Sequence, residues 1–136
     1  MFVKAHAYGN DFLLAAAADA EGRGDLAGLA RRMCSRHRGV GADGLMVFTP
    51  TPQGAAMRLF NADGSYSELS GNGVRCLAAW LARHRQLSPG ASVVIDTDAG
   101  PKTLTLLDFS GSSYTFRAAM GAPTELRQEQ IGRAHV

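Results

Sequence analysis

The run Ser70-Gly71-Asn72-Gly73 stands where a strongly amphipathic segment begins, and it is the part of the chain best suited to chemistry. The first N–H groups of a helix have no partner inside it, and with the positive end of the helix dipole they favour an anion such as a carboxylate in front of them. Gly71 and Gly73 would let a ligand come close to the backbone. A side chain at position 70 then lies next to a bound carboxylate, where an acid or base could act on the adjacent carbon. Taken alone, the run fits an ordinary N-cap serine on a glycine-rich helix start equally well. Two further corners, Gly9-Asn10-Asp11 and Phe60-Asn61-Ala62-Asp63-Gly64, carry amides able to orient an amino-acid head group, although each by itself also reads as a turn asparagine.

These corners need elements to hold them. Residues 2–7 and 12–18 read as two strands around Gly9-Asn10-Asp11. Asp25 is placed to cap a helix whose apolar positions are Leu26, Leu29, Ala30 and Met33. Arg36, His37 and Arg38 stand near its C-terminal end, and Gly39 is its stop. Strands follow at 45–49 and 56–60, joined by a proline-containing turn, and 61–65 is a loop. The spacing of Val74, Leu77, Ala78, Leu81 and Ala82 predicts a central helix over about 71–87, with Arg75, Arg83 and Arg85 largely off its apolar stripe. Residues 92–97, 102–107 and 113–118 read as a three-stranded meander, and 121–136 show no strong pattern.

Composition narrows the field. A chain of 136 residues with 46% hydrophobic and 19% charged residues can bury one ordinary core. Fourteen Lys and Arg against twelve Asp and Glu leave a net charge of +2, too little for the basic stripe that binds a phosphate backbone, so nucleic acid is not an expected partner. No apolar run approaches a membrane span and no cleavable leader is evident, so no membrane partner is expected and the default location is cytoplasmic. Cys34 and Cys76 lack metal-ligand or paired spacing, which predicts two packed thiols, no disulfide and no structural metal.

As an ordered set, four motifs resemble diaminopimelate epimerase. They are Tyr8-Gly9-Asn10-Asp11-Phe12, Arg38-Gly39-Val40-Gly41-Ala42-Asp43-Gly44, Leu59-Phe60-Asn61-Ala62-Asp63-Gly64-Ser65 and Ser70-Gly71-Asn72-Gly73-Val74-Arg75-Cys76. The resemblance runs from about residue 1 to Pro123, through Asp96-Thr97-Asp98-Ala99-Gly100 and Met120-Gly121-Ala122-Pro123. It implies an α+β fold of two similar domains, each a curved, mostly antiparallel sheet around a central helix. Residues 1–123 would be the N-terminal domain and 124–136 a linker or truncated tail. It also implies cofactor-free inversion of L,L- to meso-diaminopimelate in lysine and peptidoglycan biosynthesis, by two cysteines on opposite faces of the α-carbon. Carried over to this chain, Asn10 and Asn61 would orient the substrate, and Asn72 with the N–H groups of Gly71 and Asn72 would cradle the α-carboxylate. Gly44 falls where some members have a glutamine, and no role is carried to it.

The first catalytic cysteine of that family falls at Ser70. A helix N-terminus can bring a thiol's pKa within reach of neutral pH, whereas a serine alkoxide is scarcely populated without a neighbouring base. Cys76, six residues into the helix, cannot take its place. A second cysteine-bearing domain is not evident either, so the chain is expected to be inactive alone, with a homodimer or a complementary second domain as partner and a small amino acid as ligand. Three readings stand: an impaired or truncated epimerase half, a related isomerase with different chemistry, and a non-catalytic carboxylate-binding or assembly module of the same fold.

Overall fold

The computed structural model describes residues 2–67, 71–119 and 129–135. It begins with a hairpin of β1 (Phe2–Ala7) and β2 (Asn10–Ala16), in which Ala7 pairs with Asn10. Tyr8 and Gly9 form the two-residue connection with φ of 49° and 84°, the left-handed pair that matches the twist of a hairpin. The apolar run ends as a strand at Ala16. Residues 17–20 make a helical turn, α1 (Ala17–Ala20), followed by a 3₁₀ turn and α2 (Leu26–Cys34).

Next come β3 (Gly44–Thr51), β4 (Gly54–Asn61), the short β5 (Tyr66–Ser67) and the long α3 (Gly71–His84). The second half is a meander of β6 (Ser92–Thr97), β7 (Gly100–Ser110) and β8 (Ser113–Ala119), followed by β9 (Glu129–His135). The strands run β3-β2-β1-β9-β8-β7-β6-β4, and β4 pairs back onto β3, so eight strands close a barrel with β5 attached to β4. The sheet is mostly antiparallel, as the sequence implied. Its two parallel seams, β2 with β3 and β4 with β6, need crossovers, which α1 and α2 supply for the first and α3 for the second.

Strand alternation then sorts the side chains. Ala5 and Ala7, Phe12 and Leu14, Met46 and Phe48, Met57 and Leu59, Ile95, Leu104, Leu106, Phe116 and Ala134 face inward around α3. Leu13, Ala15, Leu45 and Val47 face outward and are covered by Leu29, Ala30 and Cys34 of the α2 segment. Strands β2 and β3 are buried on both faces, which is why they read as apolar runs. The stripe Val74, Leu77, Ala78 and Leu81 is buried, as expected.

Several local details differ from the sequence reading or add to it. Arg75 lies off the apolar stripe yet is only 5% exposed, because the barrel surrounds the first turns of α3 on more than one side. Helix α3 ends at His84 instead of continuing to 87. Gln86 takes φ 53°, with Gln86 N–H bonded to Arg83 O and Leu87 N–H to Ala82 O, a C-terminal lock that usually employs glycine. Helix α2 stops at Cys34, before Gly39, and Asp25 stands at its N-cap with no side-chain capping bond. Within 121–136, where no pattern was legible, residues 129–135 form β9 and bridge β8 to β1.

Candidate active site

Parity along the strands brings the asparagines to one end of the barrel. Asn10 lies two residues before inward-facing Phe12, and Asn61 two residues after inward-facing Leu59. Between them is Gly44, paired with Phe12 on one side and Asn61 on the other. A Cβ at Gly44 would meet Phe60 O at 2.9 Å, so the strand surface between the two amides carries no side chain. Helix α3 starts at this same end, and Asn72 in its first turn donates from Nδ2 to Asn10 Oδ1 at 2.9 Å. Gly71 is part of that turn, its carbonyl accepting from Arg75 Nη1 at 3.4 Å. Three of the expected residues, Asn10, Gly71 and Asn72, are thereby brought together.

Asn61 is at the same barrel end but tied differently: its Nδ2 donates to Ser65 Oγ at 3.0 Å, and Asp63 accepts from the Ser65 N–H and hydroxyl. Among the described residues no hydrogen bond links it to Asn10 or Asn72. Ser70, the expected position of the acid–base group, lies outside the described residues. Cys76 is fully buried in the inner core, which pushes its thiol up to about 12, and burial with the nearby Asp11 charge raises Cys34 to about 11. Both are free thiols packed as apolar groups, as their spacing suggested, and neither can ionise near neutral pH. A cavity of about 330 Å³ beside Val47, Thr49 and Asp96 holds none of the asparagines; they line an open barrel end, where Asn10 and Asn61 are exposed.

Sequence reasoning missed the charged frame behind Asn10. Asp11 accepts from Arg36 Nη2 at 2.9 Å and pairs with Lys4 Nζ at 3.2 Å, and the Arg36 guanidinium holds its carboxyl well below the usual carboxylate range. Arg36 also reaches Asp43 Oδ1 at 3.3 Å. Asp11 and Asp43 are crossed, the N–H of each donating to the other's carboxylate at 2.9 and 3.0 Å. Asp43 O then accepts the Ala62 N–H at 3.1 Å, which couples the Asn10 corner to the Asn61 corner. Both acids stood in the quoted motifs, but charge-bearing turns read as solvated surface until the fold shows what they touch. The sequence placed Arg36 at a helix end; the early stop of α2 frees it for this cluster instead.

The family model for diaminopimelate epimerase matches residues 2–125. The chain belongs to the diaminopimelate epimerase family. A diaminopimelate epimerase from Moorella thermoacetica is 44% identical over 134 residues, covering 98% of this chain and 47% of the relative. The chain therefore spans about half the length of the curated relatives it matches. The fold is also similar to a predicted epimerase from Pseudomonas aeruginosa, with a TM-score of 0.70 at 14% identity over 88% of this chain and 42% of that one. A probable proline racemase from Agrobacterium radiobacter, solved with bound carbonate, gives a TM-score of 0.64 at 19% identity over 88% and 41%. Within the diaminopimelate epimerase family, then, this chain supplies a barrel-and-helix domain whose open end carries the asparagines.

Proposed function

We propose that this barrel end is one wall of a diaminopimelate-binding site, and that the chain as it stands does not invert the α-carbon. The observation that carries the reading is the Asn72–Asn10 hydrogen bond, which joins two sequence-distant amides at a helix start. There the N–H groups of Gly71 and Asn72 would hold the α-carboxylate, with Asn10 and Asn61 orienting the rest of the amino acid. Removing the α-proton places a second negative charge beside that carboxylate, and fixed donors around it are what the reaction needs. Ser70 is a poor base, and the two thiols of the chain are buried away from the site.

The opposite wall would come from a complementary second domain or a second copy of the chain. Tyr8, Val40 and Tyr66 are 67%, 56% and 49% exposed, each within five residues of Asn10, Asp43 or Asn61, and such a rim suits a covering partner. A cytoplasmic enzyme of lysine biosynthesis is the setting this reading implies. Among the described residues no helix is long and apolar enough to cross a membrane. The test is α-proton exchange of L,L- and meso-diaminopimelate with deuterated solvent, followed by NMR. The unaltered chain should give none. Ser70→Cys should stay silent as a monomer and exchange only when a second position-70 thiol or a complementary domain faces it. Robust exchange by the unaltered chain would remove Ser70 from the role of missing base and favour a related isomerase with different chemistry.

A further inference from the structure

A carboxylate can only accept hydrogen bonds, whereas an asparagine amide can turn either end toward a neighbour. Asp43 Oδ2 faces the Asn10 amide at 3.5 Å, the outer limit of a bond, and takes the Asp11 N–H at 2.9 Å. Asn10 must therefore present Nδ2 to Asp43, which leaves its Oδ1 for Asn72. Asn72 must in turn present Nδ2 to Asn10, at 2.9 Å. We infer that Asp43 is a positioning residue: through Asn10 it fixes which way round the Asn72 amide stands at the start of α3. The inference rests on the reading of this barrel end as the substrate site.

With the relay set this way, the Asn72 carbonyl oxygen and its second amide hydrogen have assigned directions beside the helix start. Without an acceptor oxygen facing Asn10 from position 43, which the Asp11 N–H holds there, both amides could rotate by half a turn and the order of donor and acceptor would reverse. Asp43 is itself anchored from outside the site. Its N–H bonds to Asp11 O at 2.9 Å, its carbonyl takes the Ala62 N–H, and Arg36 holds its other carboxylate oxygen. Removing its side chain leaves those two backbone bonds in place.

The experiment measures hydrogen exchange of the Asn72 side-chain amide by NMR, alongside calorimetric titration with meso-diaminopimelate. In the unaltered chain at least one Asn72 amide hydrogen should exchange about tenfold or more slowly than that of free asparagine; equal rates overturn the inference without any variant. Asp43→Ala should release that hydrogen by a similar factor while backbone amides of α3 and of β2 beyond Asp11, whose N–H loses its acceptor, stay protected, and Asp43→Asn, which keeps an acceptor oxygen, should recover to within about threefold. Diaminopimelate affinity should drop about tenfold in Asp43→Ala. An unmoved Asn72 amide in Asp43→Ala overturns the assignment, and so does unchanged affinity once the amide is released. If the unaltered chain takes up no diaminopimelate, the substrate reading fails, and the amide measurement alone decides the place of Asp43 in the relay.

Discussion

Asp11 receives Arg36, Lys4 and the Asp43 N–H on one carboxylate, and that arrangement has a pH signature. Its folded pKa is depressed, with the Arg36 hydrogen bond as the largest cause. A depressed carboxylate contributes stability that is fully present above the unfolded value, near 3.9 for aspartate, and is lost as pH falls through the folded one. The excess stability of the unaltered chain over Asp11→Asn should therefore be present at pH 7 and shrink below about pH 4. Urea midpoints at pH 7 and pH 3 check this. An equal gap at both values would mean that ionisation of Asp11 contributes nothing to stability. High salt should narrow the gap at pH 7, because the Arg36 side chain is 55% exposed and screened by counterions.

At the scale of elements, α3 is the axle of the domain. Leu77 is wholly buried inside the barrel, so Leu77→Ala should cost about 2–5 kcal/mol, read from chemical unfolding. A loss under about 0.5 kcal/mol would deny α3 its core role. The parallel seam of β4 with β6 has a sharper weak point: a Cβ on Gly54 would run into the backbone of Val94, its partner in register. Gly54→Ala should lower the thermal midpoint more than Ala55→Gly does next door, and the reverse order would show that the seam can move aside. The axle was legible in the sequence because a helical stripe of Val74, Leu77 and Leu81 is strongly periodic. Inner strands such as β6 and β8 were legible through alternation and turn residues. Strand β9 was not, because Glu129-Gln130-Ile131-Gly132-Arg133-Ala134-His135 lacks a regular apolar alternation and its partner β1 lies far from it in sequence, where long-range pairing leaves little local mark. The buried state of Arg75 and the Gln86 lock were hidden for a related reason, since residue type predicts exposure and glycine at such positions. At the site, the motifs named Asn10, Gly71 and Asn72, which the fold brings to one barrel end; they could not tell that Asp43 and Arg36 stand behind them, since that follows only from where α2 stops.

For the whole molecule, the closing strand decides whether there is a barrel. Ending the chain after residue 123 removes β9, leaving β1 and β8 with unpaired edges and Ala134 missing from the inner core. Such a chain should lose its cooperative unfolding transition and self-associate, measured by circular dichroism melting and sedimentation. A sharp melt at the original temperature would show that 1–123 is self-sufficient. The pairing of β1 with β9 also has a consequence in time. During synthesis β1 must wait for β9, which follows it by most of this sequence, with His6 and His135 as partners across the seam. Closing so long a loop carries a large entropic cost before any contact repays it. Hairpins β1–β2, β3–β4 and the β6–β8 meander can form as they emerge, while the ring stays open until residues 129–135 arrive. Pulse-labelled hydrogen exchange during refolding should find the amides of β9 protected last, and until then the exposed edges of β1 and β8 are where a nascent chain is open to a chaperone or to another copy of itself.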